Sequence, residues 1–410
     1  MTATLATPVL TPAPRLRGAI ALPSDKSIAH RALIIAELAG GESSIRLREP
    51  GEDIHSMMAA LRELDSGEVD CGNSGTTMRL LAGVAASREG VLRLTGDESL
   101  SRRPMERIAE PLRRMGAEVE TSDGHAPVTI RGRSPLRAVD HVLPVASAQV
   151  LGAICFAALA AEGTTTVTVP GSTRDHTERL LASAGVAIRR EGNATLVDGP
   201  ARPRPLDLTV PGDFSSAAAW IVAATVHPNA DLTLADVGLN PSRMALIDVL
   251  HEMGANISAR MTGDEAGEPV GDITVRSARL RSLSLDPALV PALIDELPLL
   301  AVAMAGAEGT SEVRGAAELR VKESDRIATV GAALHAVGAE VDELPDGWRI
   351  RRGNTRSARV TTAGDHRVAM AMAVAAWVGL AESVTLDDPG CVAISYPSFW
   401  RDAATLGVRL

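Results

Sequence analysis

Residues 112–119 read LRRMGAEV, and the pattern returns down the chain as LLASAGVAI at 180–188, VLHEMGANI at 249–257, ALHAVGAEV at 333–341 and AATLGVRL at 403–410. Each is the end of an amphipathic helix, then a glycine, then the start of a strand. Glycine belongs just past a helix because that residue turns left-handed, where a Cβ is penalised. A weaker copy, LRELDSGEV, occupies 61–69. The glycines are Gly67, Gly116, Gly185, Gly254, Gly338 and Gly407, at steps of 49, 69, 69, 84 and 69 residues. One such match is weak evidence, but three equal steps are hard to obtain by accident.

A second series runs in phase with the first. Its members are AIALPSDKSIAHRALIIAELA (19–39), VDCGNSGTTMRLLAGVAA (69–86), HVLPVASAQVLGAICFAALAA (141–161), LTVPGDFSSAAAWIVAAT (208–225), VPALIDELPLLAVAMAGA (290–307) and RVTTAGDHRVAMAMAVAAWVG (359–379). Each reads as a short strand, a polar tip and an Ala-rich helix. The helices are apolar on nearly every face and should be buried. The tips supply Ser, Thr, Asn or Asp where an N-cap is needed. With Ser27, Ser74, Ser147, Ser215, Asp295 and Asp365 as markers, the steps are 47, 73, 68, 80 and 70.

The repeating unit is thus about 70 residues of mixed α and β structure, present six times. That is too long for a solenoid repeat and too short for an ordinary domain. Strands beside buried helices imply an α/β chain with sheets layered around a helical core. Two groups of three units give the two domains that 410 residues suggest. The sixth unit stops three residues after Gly407, so Arg15–Leu22 is expected to supply its closing strands. The predicted domains are 1–22 with 212–410, and 23–211, with chain crossings near Leu22–Ser24 and Leu208–Gly212. A first step of 49 against 69 leaves the first unit about 20 residues short, with a strand pair missing near Leu64–Val69.

Composition narrows the function. A net charge of −10 repels phosphate backbones, and 2% aromatic residues leave few faces for stacking bases, so nucleic acid is excluded as a partner. The longest apolar run, Val368–Ala381, has 14 residues and is too short to span a bilayer. The N-terminal MTATLATPVLTPAPRLRG lacks the pattern of a signal peptide. Three widely spaced cysteines, Cys71, Cys155 and Cys391, fit a reducing cytoplasm better than a disulfide framework. A monomer is expected. The 41 cations are 39 Arg and two Lys, Lys26 and Lys322. Where Arg has replaced Lys almost throughout, two surviving ammonium groups are candidates for chemistry that Arg cannot perform.

The polar tips hold most of the unusual residues: Lys26, Ser27 and Arg31; Asn73 to Thr76 with Arg79; Ser147 and Gln149; Asp213 to Ser216; Asp295 and Glu296; Asp365, His366 and Arg367. Helix N-termini present free N–H groups and partial positive charge, which suits phosphate and carboxylate. Each tip alone is better read as an ordinary cap, since Ser and Asp are common there. Lys26, Arg31, Arg79 and Arg367, however, are cations at helix starts, where they oppose the dipole unless an anion is bound. SLSRRPM adds Arg102 and Arg103, and LRVKESDR adds Arg320, Lys322, Glu323, Asp325 and Arg326. If that stretch is helical, Lys322 and Arg326 share a face. GSTRDHTERL, with Arg174, is a weaker case. An acidic protein that gathers cations in this way suits a small, multiply anionic ligand, with Asp295 and Glu323 as candidate proton carriers. Neither a metal-ligand spacing nor a GxxxxGK or GxGxxG loop is present.

In order along the chain, LPSDKSIAHRAL, GNSGTTMR, SRRPM, SAQ, LIDELP, RVKESDR and GDHR resemble the 5-enolpyruvylshikimate-3-phosphate synthases (3-phosphoshikimate 1-carboxyvinyltransferases) from about Pro14 to Pro397. The resemblance implies two globular domains of three βαβαββ units each, an inverse α/β barrel arrangement, with a cleft between them. It implies that shikimate 3-phosphate is held by Lys26, Ser27, Arg31, Ser147, Gln149, Arg174, Asp295 and Lys322, largely in domain 23–211. It implies that phosphoenolpyruvate meets Lys26, Gly75, Arg103, Gln149, Arg326 and Arg367, with the catalytic side in domain 1–22 with 212–410. Asp295 is then the base on the 5-hydroxyl, and Glu323 with Lys26 serves the methylene carbon. No metal or organic cofactor is implied.

Two departures from the family pattern stand out: the short first unit, and Ile394 where some branches carry a Lys. Gly75 lacks the methyl of some glyphosate-tolerant branches, which implies a glyphosate target. The related transferase acting on UDP-N-acetylglucosamine shares the fold, but its active-site Cys loop has no counterpart near Arg102. A non-catalytic anion-binding paralogue and a catalyst of secondary metabolism are the remaining alternatives.

Overall fold

The computed structural model describes residues 9–171 and 173–410. The stretch 1–8, which opens the segment read above for a signal peptide, lies outside the described residues. The chain divides into two compact units. Unit 1 is the chain up to Ser24 with Pro211–Gly263 and Pro269–Leu410; unit 2 is Asp25–Val210 with Asp264–Glu268. Each has its own hydrophobic core.

The second series of repeats forms six helices. Lys26–Leu38, Gly75–Ala86 and Ala148–Ala158 belong to unit 2; Phe214–Val226, Leu297–Gly306 and His366–Trp377 belong to unit 1. Burial on all sides, expected from their apolar composition, is complete for Gly75–Ala86 and for His366–Trp377. Small residues allow the backbones to approach: a Cβ on Gly83 would lie 2.0 Å from the carbonyl oxygen of Ala153 in the neighbouring helix. The caps differ in detail from the markers read in sequence. Ser74, Ser147 and Asp365 cap as expected, while Asp25 and Asp213 take the role at the first and fourth helices. Glu296 precedes the fifth helix without a side-chain cap bond.

The glycine series ends a second set of helices. Gly116, Gly185, Gly254, Gly338 and Gly407 all have positive φ, between 81° and 108°. At each, the glycine N–H and the next N–H turn back to two carbonyls of the last turn, as in Gly116 to Arg113 and Ala117 to Leu112. This is the Schellman arrangement that satisfies orphan carbonyls. Gly67 is the exception. Its helix, Glu52–Arg62, closes at Glu63, and the glycine lies four residues further on.

Sheets surround the core helices. In unit 2 one sheet orders Glu68–Asp70, Gly90–Thr95, His125–Gly132 and Glu118–Ser122; another centres on Ala161–Thr168 and has five strands. The third is only Ser44–Arg46 paired in parallel with Asp207–Thr209, which is where the strand pair is missing. In unit 1, Leu16–Ala21 pairs in parallel with Ala230–Gly238, while Val9–Leu10 pairs antiparallel with Ser383–Leu386. The expectation that Arg15–Leu22 completes the sixth unit is thereby corrected. The shorter Val9–Leu10 strand joins that unit's sheet, and the longer strand joins the fourth unit's, because its alternate residues Leu16 and Ile20 are buried there. Among the described residues no single helix is long and apolar enough to cross a membrane.

Candidate active site

In unit 2 the polar tips form one connected constellation. Asp25 caps the first helix by accepting from Ile28 N at 2.9 Å, which leaves Lys26 and Ser27 in the first turn. Lys26 Nζ donates to Asp53 Oδ2 at 2.7 Å, both side chains mostly buried. Arg31, one turn on, is 2% exposed. Its Nη1 donates to Ser27 O at 2.9 Å, its Nε to Thr177 Oγ1 at 2.6 Å and its Nη2 to Ala148 O at 3.1 Å. Burial lowers the Arg31 guanidinium to about 10, so it is a cation at neutral pH. Arg31 thus pins the Ser27 turn to the Ala148 end of the third core helix, where Ser147 is the cap.

Gly75 opens the second core helix behind its cap Ser74. Three polar groups converge there. Arg79 Nη1 donates to Gln149 Oε1 at 2.6 Å, and Gln149 Nε2 donates to Thr76 Oγ1 at 2.9 Å. Arg103 Nη2 donates to Asn73 Oδ1 at 2.8 Å. Arg102, by contrast, is an exposed partner of Glu98 and takes no part. Arg174 lies half-buried before the His176–Ser183 helix, close enough to Arg31 for the two charges to interact.

Unit 1 builds its constellation around Arg326, 1% exposed at the start of the Arg326–Ala336 helix. Its Nη2 contacts Glu323 Oε2 at 2.7 Å, its Nε contacts Asp365 Oδ2 at 2.8 Å, and its Nη1 lies 3.6 Å from Asp295 Oδ1. Arg367 Nε lies 3.9 Å from the same Asp295 oxygen. Burial acts to lower the Arg326 pKa, but Asp365, Glu323 and Asp295 outweigh it and the net shift is upward. Burial acts to raise Asp365, and Arg326 outweighs that, holding the carboxylate below its usual range. Asp295, Glu323, Arg326 and Arg367 are therefore brought together.

Lys322 differs from its sequence reading. It ends the 3-10 turn Ala317–Val321 in an extended conformation, and the helix begins only at Arg326, so the two do not share a helical face. Its Nζ is 3.0 Å from Glu318 Oε1 instead. Ile394 ends the turn Pro389–Ile394 and packs against the hydrophobic core.

Several partners escape sequence reading. Asp53 is 27 residues from Lys26, with no local signal linking them. Arg243 is 3% exposed; its Nη2 donates to Ser215 Oγ at 2.5 Å and lies 3.4 Å from Glu296 Oε1. Asp365 was legible as a tip residue, but its bond to Arg326, 39 positions away, was not.

Comparison with known proteins identifies the family. The family model for EPSP synthase (3-phosphoshikimate 1-carboxyvinyltransferase) matches residues 10–69 and 65–403. The break between its two segments falls where the first unit lacks its strand pair. The 3-phosphoshikimate 1-carboxyvinyltransferase of Anaeromyxobacter sp. (strain Fw109-5) is 47% identical, covering 94% of this chain and 95% of the relative. That of Gloeobacter violaceus (strain ATCC 29082 / PCC 7421) is 45% identical, covering 96% and 98%. A solved EPSP synthase from Acinetobacter baumannii superposes with a TM-score of 0.85 at 36% identity over 98% of each chain. The enolpyruvyl transferase NikO from Streptomyces tendae shares the fold, with a TM-score of 0.74 at 19% identity over 98% of this chain and 97% of NikO. By near-complete coverage of both sequence and fold, the chain belongs to the EPSP synthase family.

Proposed function

We propose that this protein transfers the carboxyvinyl group of phosphoenolpyruvate to the 5-hydroxyl of shikimate 3-phosphate, a step in the formation of aromatic amino acids. In the addition step, the 5-hydroxyl oxygen bonds to C2 of phosphoenolpyruvate and gives its proton to Asp295. The methylene C3 takes a proton from Glu323, assisted by Lys26, and becomes a methyl group. In the elimination step, that methyl group returns a proton to Glu323, the C2=C3 double bond reforms, the bond from C2 to the phosphate oxygen breaks, and the departing phosphate takes the proton held by Asp295. The products are 5-enolpyruvylshikimate 3-phosphate and phosphate.

Unit 2 supplies the main shikimate 3-phosphate contacts in this reading: Lys26, Ser27, Arg31, Ser147, Gln149 and Arg174. This reading also assigns Lys322 and Asp295 to shikimate 3-phosphate. Phosphoenolpyruvate is met by Lys26, Gly75, Arg103, Gln149, Arg326 and Arg367. Both substrates are polyanions, and fixed guanidinium and ammonium groups stabilise the charge that shifts onto phosphate as it leaves. Arg326 and Arg103 are each oriented within their own unit, by Asp365 and by Asn73. The observation that carries the reading is near-full-length identity to curated 3-phosphoshikimate 1-carboxyvinyltransferases, with Lys26, Asp295 and Glu323 all present. The shortened first unit leaves the Lys26–Asp53 pair and the Gly75 helix start in place, which favours a catalyst over an anion-binding paralogue.

Three buried, unbridged cysteines support a reducing cytoplasm. The test is phosphate release on mixing the protein with both substrates. Release that requires both is expected; release from phosphoenolpyruvate alone, or none at all, overturns the proposal.

A further inference from the structure

His30 lies in the first core helix one turn after Lys26 and is completely buried. Its two ring nitrogens reach two different elements. Nδ1 is 2.7 Å from Lys26 O, and a carbonyl can only accept, so Nδ1 carries the hydrogen. Nε2 is then the acceptor. It faces Thr77 Oγ1 at 3.2 Å and Ser74 Oγ at 3.4 Å, the residues on either side of Gly75 and Thr76. Ser74 Oγ accepts from Thr77 N at 3.2 Å and from the single hydroxyl hydrogen of Thr77 Oγ1 at 2.8 Å, which leaves the Ser74 hydroxyl as the donor to Nε2 and joins the imidazole to the helix cap. Burial lowers His30 to about 4, despite the nearby Asp53 carboxylate, so the ring is neutral and this donor–acceptor polarity is stable at neutral pH.

We propose that His30 is a positioning residue for phosphoenolpyruvate: its imidazole holds the backbone of the Lys26 turn at a fixed distance from the Ser74 cap that presents Gly75. This rests on the assignment made above of Gly75 to phosphoenolpyruvate and of Lys26 to both substrates. The selectivity follows from how the turn is anchored. Its other member, Ser27, is tied separately through Arg31 to Thr177 and Ala148. Loss of the imidazole therefore loosens the Lys26 and Gly75 contacts while leaving the Arg31 anchor intact. A role in packing alone has no reason to distinguish the two substrates.

The test is steady-state kinetics on the full-length protein with His30→Leu, His30→Gln and His30→Asn, alongside their melting temperatures. Gln extends an acceptor toward the Nε2 position; Asn reaches only the Nδ1 position. His30→Leu is expected to raise the KM for phosphoenolpyruvate about tenfold, the scale of losing a buried hydrogen-bond anchor. The KM for shikimate 3-phosphate should rise by a clearly smaller factor, about threefold at most, because that substrate shares Lys26 but not Gly75 and keeps the Ser27–Arg31 anchor. His30→Gln should restore most of the loss and His30→Asn should not. Equal rises in both KM values, or a Gln variant as impaired as Leu, overturns the proposal. If His30→Leu does not fold, the order of Gln and Asn decides alone. Lys26→Met separates the two levels of inference. An unchanged phosphoenolpyruvate KM in that variant overturns the assignment of the turn. A raised KM there with an unchanged KM in the His30 variants overturns the positioning role only.

Discussion

A Cβ on Gly75 would lie 2.9 Å from Arg79 Nη1 and 3.2 Å from Arg103 Nη1. Both are ends of flexible side chains, so Gly75→Ala should fold and shift its cost onto ligand geometry. The expected outcome is a several-fold higher KM for phosphoenolpyruvate, with the wild type inhibited by glyphosate in competition with phosphoenolpyruvate and the variant inhibited more weakly. Kinetics with glyphosate as competitor check both, and unaltered constants would show that the two guanidiniums do not meet the ligand at Gly75. His30 supplies a second residue-level prediction, in stability. Its folded pKa of about 4 lies below the unfolded 6.5, so the unfolded chain binds the extra proton between those values. The stabilisation is complete above pH 6.5 and lost as pH falls toward 4, about 2 kcal/mol of it by pH 5. His141, also lowered to about 4 by burial and by Arg114, adds in the same direction. Melting temperatures at pH 7 and pH 5 should therefore fall less in His30→Gln than in the wild type.

The repeated element is the helix closed by a left-handed glycine, and it separates strained positions from free ones. Gly338 has φ +108°, and a Cβ there would meet Asn354 O at 1.7 Å. Gly338→Ala should cost at least about 2 kcal/mol, from the left-handed penalty and a backbone clash. Gly67 has φ +85° with nothing within 4 Å, so Gly67→Ala should cost only about 1 kcal/mol. Equal losses by denaturant titration would contradict this reading of the series. The Ser44–Arg46 and Asp207–Thr209 pair is the element-scale consequence of the short first unit. A two-stranded sheet is marginal by itself, so amides of this pair should exchange with solvent faster than those of the Gly90–Thr95 and His125–Gly132 pair. Slower exchange would mean that other structure replaces the missing strands. The six core helices are legible in the sequence because their signal is local: a cap, an apolar run, a fixed step. Strand partners are less legible. Val9–Leu10 meets Ser383–Leu386 across almost the whole chain, and no turn or spacing encodes that pairing.

At the scale of the molecule, two hydrophobic cores carry two polar constellations, one per unit. The candidate residues were legible as types: two surviving lysines and cations set at helix starts. Their partners were not, because Lys26–Asp53 and Arg326–Asp365 depend on tertiary packing over 27 and 39 positions. A protein of net charge −10 binds polyanions only through such concentrated cations, whose own carboxylates hold them in place. The central claim, that these residues run an addition–elimination on phosphoenolpyruvate, is tested most directly by the mass of the product formed in D₂O. A transient methyl group at C3 must exchange hydrogen with solvent through Glu323. The account predicts deuterium in the vinyl methylene of the product, accumulating far more slowly with Glu323→Gln. A product formed at full rate without deuterium, or identical labelling in that variant, would contradict it.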